Sequence, residues 1–556
     1  MTDPRTVKPR PKSARSRAMS TTVVDRRAGS APMSVRLHSP GWYARGLGRM
    51  ASSPFASATA VTWVFFAMLY GVLRPGYWIN DDLKMIWNIV GYAGGTQPVP
   101  FLIHSNVLLG FGLEAAYAGM SKPNWAMLLY ASINLCSIWG LVYIVIRSRL
   151  SAGYKWIGGT VALVGLGAAT LNLTFTFTAA LSSLSGACLL LFGAKRGASH
   201  LVPMLGAGIG LLLVGALVRL EMLGLVLAFV LPGAVFAIDA LVWRRLLVAC
   251  GLAGVLIAAS YVADQLYVRS VPEWHSFYAY DQVRENLHDA HRLTNLHNQI
   301  RHVGWTANDQ ELFAHWFYPD AQIYSFEHIK YLVENTAATS QDLQGTVGSF
   351  VEALAGPRPS AYLTFILAIA IWAMWGSGGS ASYWTTLLPW VAAIAANLIL
   401  TWAYKDPEYV LVSTLAGGAT CTVMLLALRA DDTSAGASSA GDAPERRRFA
   451  GAAGICLVTL GAAILAGQTL SSSRTNTAKQ AAYEGILRDL KHLQESGKIT
   501  SDALIVSPAH GLPYEWSYPF TTSLPPVSYF DTGWITFSPS YEQVLGEYGV
   551  RKGNPS

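Results

Sequence analysis

The sequence predicts an all-α polytopic membrane protein with about 11 transmembrane helices, external surface helices and a small extracytoplasmic α/β cap at the C-terminus. Three observations carry this. Of the 556 residues, 52% are hydrophobic and only 13% are charged, against about 25% charged in soluble domains. The apolar residues gather into runs near 20 residues long, a length that suits membrane-crossing helices and not barrel strands. The 18 Trp and 25 Tyr suit aromatic belts at two membrane interfaces. Mean hydropathy is +0.33.

The net charge of +7 is no nucleic-acid signal, because residues 1–50 alone hold eleven Lys/Arg against two Asp. That stretch is too long and too charged for a secretory signal, and no small-residue cleavage site follows the first apolar run. It reads as a disordered basic cytoplasmic tail ahead of a signal anchor. The five cysteines all fall inside apolar runs, which makes them packing residues rather than disulfides or metal ligands.

The runs able to span are 54–73, 126–146, 156–173, 175–193, 201–218, 222–241, 246–266, 361–377, 383–403, 408–428 and 449–469. A twelfth stretch, 100–120, is interrupted by His104, Ser105, Asn106 and Glu114. The positive-inside rule decides its status. If it does not cross, Arg147, Arg149, Lys155, Lys195, Arg196, Arg244, Arg245 and Arg446–Arg448 all fall on the side of the basic tail. If it crosses, all fall on the other side. The stretch is therefore placed outside, together with 74–125, a long loop 267–360 and the tail 470–556. The membrane domain is 51–469. Leu83, Met85, Ile86, Ile89 and Val90 have the spacing of an interfacial amphipathic helix over 83–92, ended by Gly94-Gly95. The long loop reads as mostly helical, around Asp281–Leu293 and Gln310–Phe317. The tail reads as a helix over 476–496, a strand at Ala503–Val506 and Pro-rich turns. The Ser/Ala/Gly-rich segment 430–445 reads as a flexible linker.

Chemistry centres on Asp81 and Asp82, adjacent carboxylates at a membrane boundary. One of them, or Asn80, suits the cap of the following helix. A vicinal pair can also hold a hard divalent cation, Mg or Mn, or supply a general base whose neighbour raises its pKa. These alternatives stay open on the residues alone.

One transmembrane helix, an aspartate pair opening the first external loop, surface helices and then many spans resembles the GT-C superfamily of polyprenyl-phosphate-sugar-dependent glycosyltransferases. NDDLKM, GGTQPVPFLIHSNVLLGFGLEAAY, GWTANDQELFAHWFYPD and GWITFSP also resemble blocks in a group of bacterial multi-spanning proteins with this layout. The resemblance implies an enzyme of the bacterial inner membrane, N-terminus cytoplasmic and C-terminus extracytoplasmic. It would move a sugar from a polyprenyl-phosphate donor to an envelope glycan, lipid or protein, among membrane lipids and without nucleic acid. Asp81 or Asp82 would be the general base, with a metal in some members of the superfamily and none in others. A second acid often helps, for which Glu114 and Asp309 are candidates.

The leaving phosphate needs a cation. Arg219 in VRLEM has the fork that matches two phosphate oxygens, although it can equally snorkel and pair with Glu221. Lys405, Arg284 and Arg74 are the other candidates, and Arg74 can also pair with the aspartates. Seven histidines lie between 275 and 328, without zinc-binding spacing. The competing readings are a polysaccharide polymerase or ligase centred on loop Arg and His, and a polysaccharide or lipid transporter. A transporter would place charge at the bilayer midplane.

Overall fold

The computed structural model describes residues 53–548 except 92–97, 197, 236–239, 289–292, 294, 295, 297, 319, 338–341, 357, 361, 364–379, 404–406, 434–443, 501, 502, 508–510, 523 and 524. The basic tail, Gly94-Gly95, most of run 361–377, Lys405, His291, His297 and most of the 430–445 linker lie outside that description.

In chain order the elements are α1 Pro54–Gly71, β1 Gly76–Tyr77, α2 Asp81–Val90, α3 Val107–Gly119, α4 Trp125–Arg147, α5 Ala152–Thr160, β2 Asn172–Leu173, α6 Phe175–Arg196, α7 Ala198–Val218, α8 Leu220–Val235 and α9 Ala240–Ser270. The long loop supplies α10 Pro272–His288, α11 Gln299–His302, α12 Ala307–Ala314, α13 Phe326–Asn335 and α14 Leu343–Ala355. Then follow α15 Ser380–Trp402, α16 Glu408–Thr433, α17 Pro444–Glu495, β3 Leu504–Ser507, β4 Ser528–Asp531 and α18 Pro539–Glu547. Among the described residues six helices are long and apolar enough to cross a membrane, and four shorter apolar helices accompany them.

α6 is the buried axis of the helical domain, and every residue from Phe175 to Ala194 is buried. With 22 residues it is about 33 Å long, and its two ends collect different chemistry. At its C-terminal end Arg196 donates to the Arg147 carbonyl (2.8 Å), Lys195 to Leu428 (2.7 Å) and Arg245 to Ala194 (3.1 Å). At its N-terminal end lie the aspartates and Arg219. The basic clusters that the charge rule groups on one side thus meet at one end of the bundle. α3 has 13 residues, about 20 Å, short of the roughly 30 Å hydrocarbon core. Its first N–H bonds Asp264 at the end of α9, and its last turn is tied through Tyr117 and Asn124 to Tyr77. Both ends sit at the aspartate end of the bundle.

Several expectations are corrected. The helix expected over 83–92 is Asp81–Val90, and it stops at Gly91 with φ 85°. It is not an interfacial helix with one wet face, because residues 82–89 are all buried beneath the C-terminal cap. Run 156–173 is not one regular helix. α5 passes into a π-helical turn at Val161–Gly167 and a 3-10 turn at Ala168–Leu171. The last span and the tail helix are a single helix, α17, of 52 residues. The loop helices sit at Pro272–His288 and Ala307–Ala314 rather than Asp281–Leu293 and Gln310–Phe317.

The cap folds onto α2. Its two strands are parallel, Leu504 opposite Ser528 and Ser507 opposite Asp531. Asp531, the last residue of β4, meets Lys84. The pair is 3.0 Å apart, with side chains 1% and 2% exposed. Lys84 Nζ also donates to the Thr532 carbonyl (3.0 Å), and the Tyr514 hydroxyl donates to Asp531 (2.5 Å). Removing one member of such a pair strands the other charge. Asp531→Ala should therefore lose about 3–5 kcal/mol and lower the thermal midpoint of the purified protein sharply. Lys84→Met combined with Asp531→Leu should recover most of that loss.

Candidate active site

The position of the aspartates follows from a short piece of sheet. β1 and β2 pair in parallel, with Gly76 opposite Asn172 and Tyr77 opposite Leu173, and Trp78 N–H extends the ladder to the Leu173 carbonyl (3.1 Å). Two parallel strands feed two helices starting side by side, α2 and α6. From α17, Asn476 bonds the Arg74 carbonyl and the Asn172 side chain, and Gln480 bonds the Pro75 carbonyl. Gly76 is needed for this approach, since a β-carbon there would lie 2.7 Å from the Asn476 amide.

Asp82 is 1% exposed, and its Oδ1 accepts from the Phe175 N–H at 2.8 Å. It therefore satisfies one of the open N–H groups at the start of α6 and suits the positive end of that helix dipole. Burial pushes the Asp82 carboxyl well above the ordinary carboxylate range. The Phe175 N–H opposes the rise, and the charge of Asp81 adds to it. Its Oδ2 has no hydrogen bond. Asp81 is half-buried, and its Oδ1 accepts from the Trp534 indole N–H at 3.0 Å. The expected cap of α2 is thus corrected. Asn80 makes no side-chain cap bond, Asp81 is the first helical residue, and the carboxylate that caps a helix, Asp82, caps α6.

Arg219 stands beside this pair. Its guanidinium donates to Thr176 (2.6 Å), lies 4.9 Å from the Phe175 ring centroid and makes a loose contact with the exposed Glu221 at 3.8 Å. Asp82 lies within its electrostatic reach, and Tyr409 lies within reach of Arg219 and both aspartates. A small cleft, with room for little more than a water, is lined by Trp78, Asn172, Arg358, Tyr362, Gln468 and Thr469 among others. Arg358 sits 5.2 Å from the Trp78 ring centroid and 3.7 Å from Glu408.

No family model and no curated protein matches the chain. Among solved structures it is similar to a crystal structure of ArnT from Cupriavidus metallidurans in the apo state. That likeness has 13% identity and a TM-score of 0.38, covering 90% of this chain and 89% of that one. At this level it carries nothing about fold or activity.

The other candidates lie elsewhere. Arg284 is buried against Asp281 (2.5 Å) and 4.8 Å from the Trp316 ring, in the separate aromatic core of the long loop. Asp309 closes a capping box with Thr306 at the start of α12. Arg74 lies over Tyr518. Glu114 is half-buried on α3 and makes no hydrogen bond to either aspartate. The loop histidines at 288, 315 and 328 are engaged by backbone carbonyls, and His302 stacks on Tyr331. A shared cation needs several oxygen ligands. The described residues hold no group of three or more His, Cys, Asp or Glu suited to a metal, and Asp81 and Asp82 are bound to different partners. The pair thus fits a metal site poorly.

Sequence reasoning missed Trp534, Lys84, Arg358 and Tyr409. The first two stand inside quoted blocks, but nothing in one chain shows which block touches which.

The raised Asp82 pKa has a consequence for stability. Between the ordinary carboxylate range and the raised native value, the native state holds a proton that the unfolded state releases. Stability therefore falls as pH rises through that window. Asp82→Asn should flatten this fall, read as the thermal midpoint from about pH 5 to about pH 8, while still accepting the Phe175 N–H.

Proposed function

We propose that this is a membrane glycosyltransferase of the GT-C type, moving a sugar from a polyprenyl-phosphate donor to a hydroxyl of an envelope glycan, lipid or protein. The basic end of the bundle faces the cytoplasm, and the aspartate end faces outward. The observation that carries the reading is the division of labour between two adjacent carboxylates. Asp82 is sealed and capped onto α6, and burial disfavours its charged form. Asp81 is partly open and oriented by an indole N–H.

Of two adjacent carboxylates the buried one is the costlier to ionise, so the accessible Asp81 is the one suited to act as base. Asp81 then takes the proton of the acceptor hydroxyl as its oxygen attacks C1 of the sugar. The bond from C1 to the phosphate oxygen breaks, and its electron pair leaves with the phosphate. Arg219, in a fork geometry suited to phosphate, meets the charge that develops there. Trp534 orients Asp81 through its indole N–H.

General base catalysis contributes about 10²–10⁴-fold. Asp81→Asn should lower glycan transfer by about that factor, and Asp82→Asn should keep transfer within about tenfold of wild type. Both are read by glycan and lipid analysis of a deletion strain complemented with each variant at equal membrane level. Full transfer by Asp81→Asn would defeat the assignment.

A further inference from the structure

We propose that His104 contacts the phosphate of the lipid-linked donor, donating a ring N–H to the oxygen that leaves C1, beside Arg219. This rests on the donor class proposed above.

His104 touches the two residues that hold the two aspartates. Its ring lies parallel to that of Phe175, with centroids 5.8 Å apart and an interplanar angle of 8°. It also lies tilted against Trp534 at 5.3 Å. Phe175 supplies the N–H that binds Asp82 and the ring beside which Arg219 sits. Trp534 supplies the N–H that binds Asp81.

The backbone holds this position against its own preference. Ile103, immediately before it, takes φ 64°. For a β-branched residue that is a genuine outlier, of a kind that costs on the order of 1–3 kcal/mol and gathers at functional sites. The His104 N–H closes a tight turn onto the Leu102 carbonyl (2.7 Å). The next two residues are pinned to the end of α7. Ser105 Oγ donates to the Val218 carbonyl (2.6 Å), and Asn106 N–H to Leu217 (2.8 Å). Those carbonyls directly precede Arg219, so one junction sets both side chains.

A packing role would leave the ring nitrogens bonded to the protein or fully enclosed. Among the described residues neither nitrogen of His104 has a hydrogen-bond partner, and neither is a buried unpartnered atom. The ring is half-buried with its nitrogens available. In the transfer step the acceptor oxygen bonds C1 and its proton goes to Asp81. The electron pair of the broken C1–O bond stays on the phosphate oxygen, which His104 and Arg219 meet.

The test uses the full chain in phosphatidylcholine nanodiscs with undecaprenyl phosphate as probe, followed by phosphorus NMR. His104→Phe keeps a ring against Phe175 but has no N–H. His104→Gln keeps an N–H donor. His104→Phe should bind the lipid about tenfold more weakly, and His104→Gln should stay within about threefold of wild type. In wild type labelled with ¹⁵N at histidine, the His104 ring signals should shift when the lipid is added. That readout stands even if His104→Phe does not fold. Binding by His104→Phe within about twofold of wild type, or unmoved ring signals in a wild type that binds, would overturn the His104 assignment alone. No binding by wild type would overturn the donor class and this proposal with it.

Discussion

The arrangement depends on a buried ion pair between Lys84 and Asp531. Taking both charges out of water costs several kcal/mol per ion, and the pair is stable only where geometry and further hydrogen bonds compensate. Here Thr532 and Tyr514 supply them. Such a pair is a poor source of stability but a strong specifier of register, because either charge alone in that space is severely penalised. Its effect is to let the C-terminal cap sit on α2 in one position. In that position Trp534, three residues beyond Asp531, reaches Asp81, three residues before Lys84.

Three distant blocks of sequence meet there. α2 brings Asp81 and Lys84, and the cap brings Asp531, Gly533 and Trp534. The long loop brings Tyr318, whose hydroxyl donates to the Gly533 carbonyl (2.7 Å). Gly533 has φ 119°, a conformation open to glycine and closed to residues with a β-carbon. Among the described residues, two of the three non-glycine residues with positive φ, Trp316 and Phe537, flank this loop–cap contact, and the third, Ile103, flanks His104. Backbone strain concentrated around one spot is a mark of a site held by its surroundings.

Much of the fold was legible in the sequence because helix periodicity, run length and the sidedness of basic residues are local or additive signals. Apart from 156–173 and the largely undescribed 361–377, the runs are helices, and Arg147, Lys195, Arg196 and Arg245 meet at one end of the bundle. The acidic pair stood out in the sequence, since two carboxylates at a membrane boundary are costly to keep. The division of labour between them was not. Whether Asp82 caps its own helix or α6 depends on the β1–β2 pairing, a contact across 96 residues between Gly76 and Asn172. Nothing in the sequence marked Lys84 as a buried charge, because the cap that buries it comes 447 residues later. Arg284 and Asp309 looked available because their local partners, Asp281 and Thr306, carry no sign in sequence that they would be used.

The central claim is that the cap acts on catalysis through the indole of Trp534 on Asp81. A double-mutant cycle on the transfer rate tests this directly, using Trp534→Phe, Asp81→Asn and the pair together. The account predicts that Trp534→Phe slows transfer by about tenfold or more in the wild-type background and has no further effect once Asp81 is Asn. Independent losses that multiply in the double variant would contradict it.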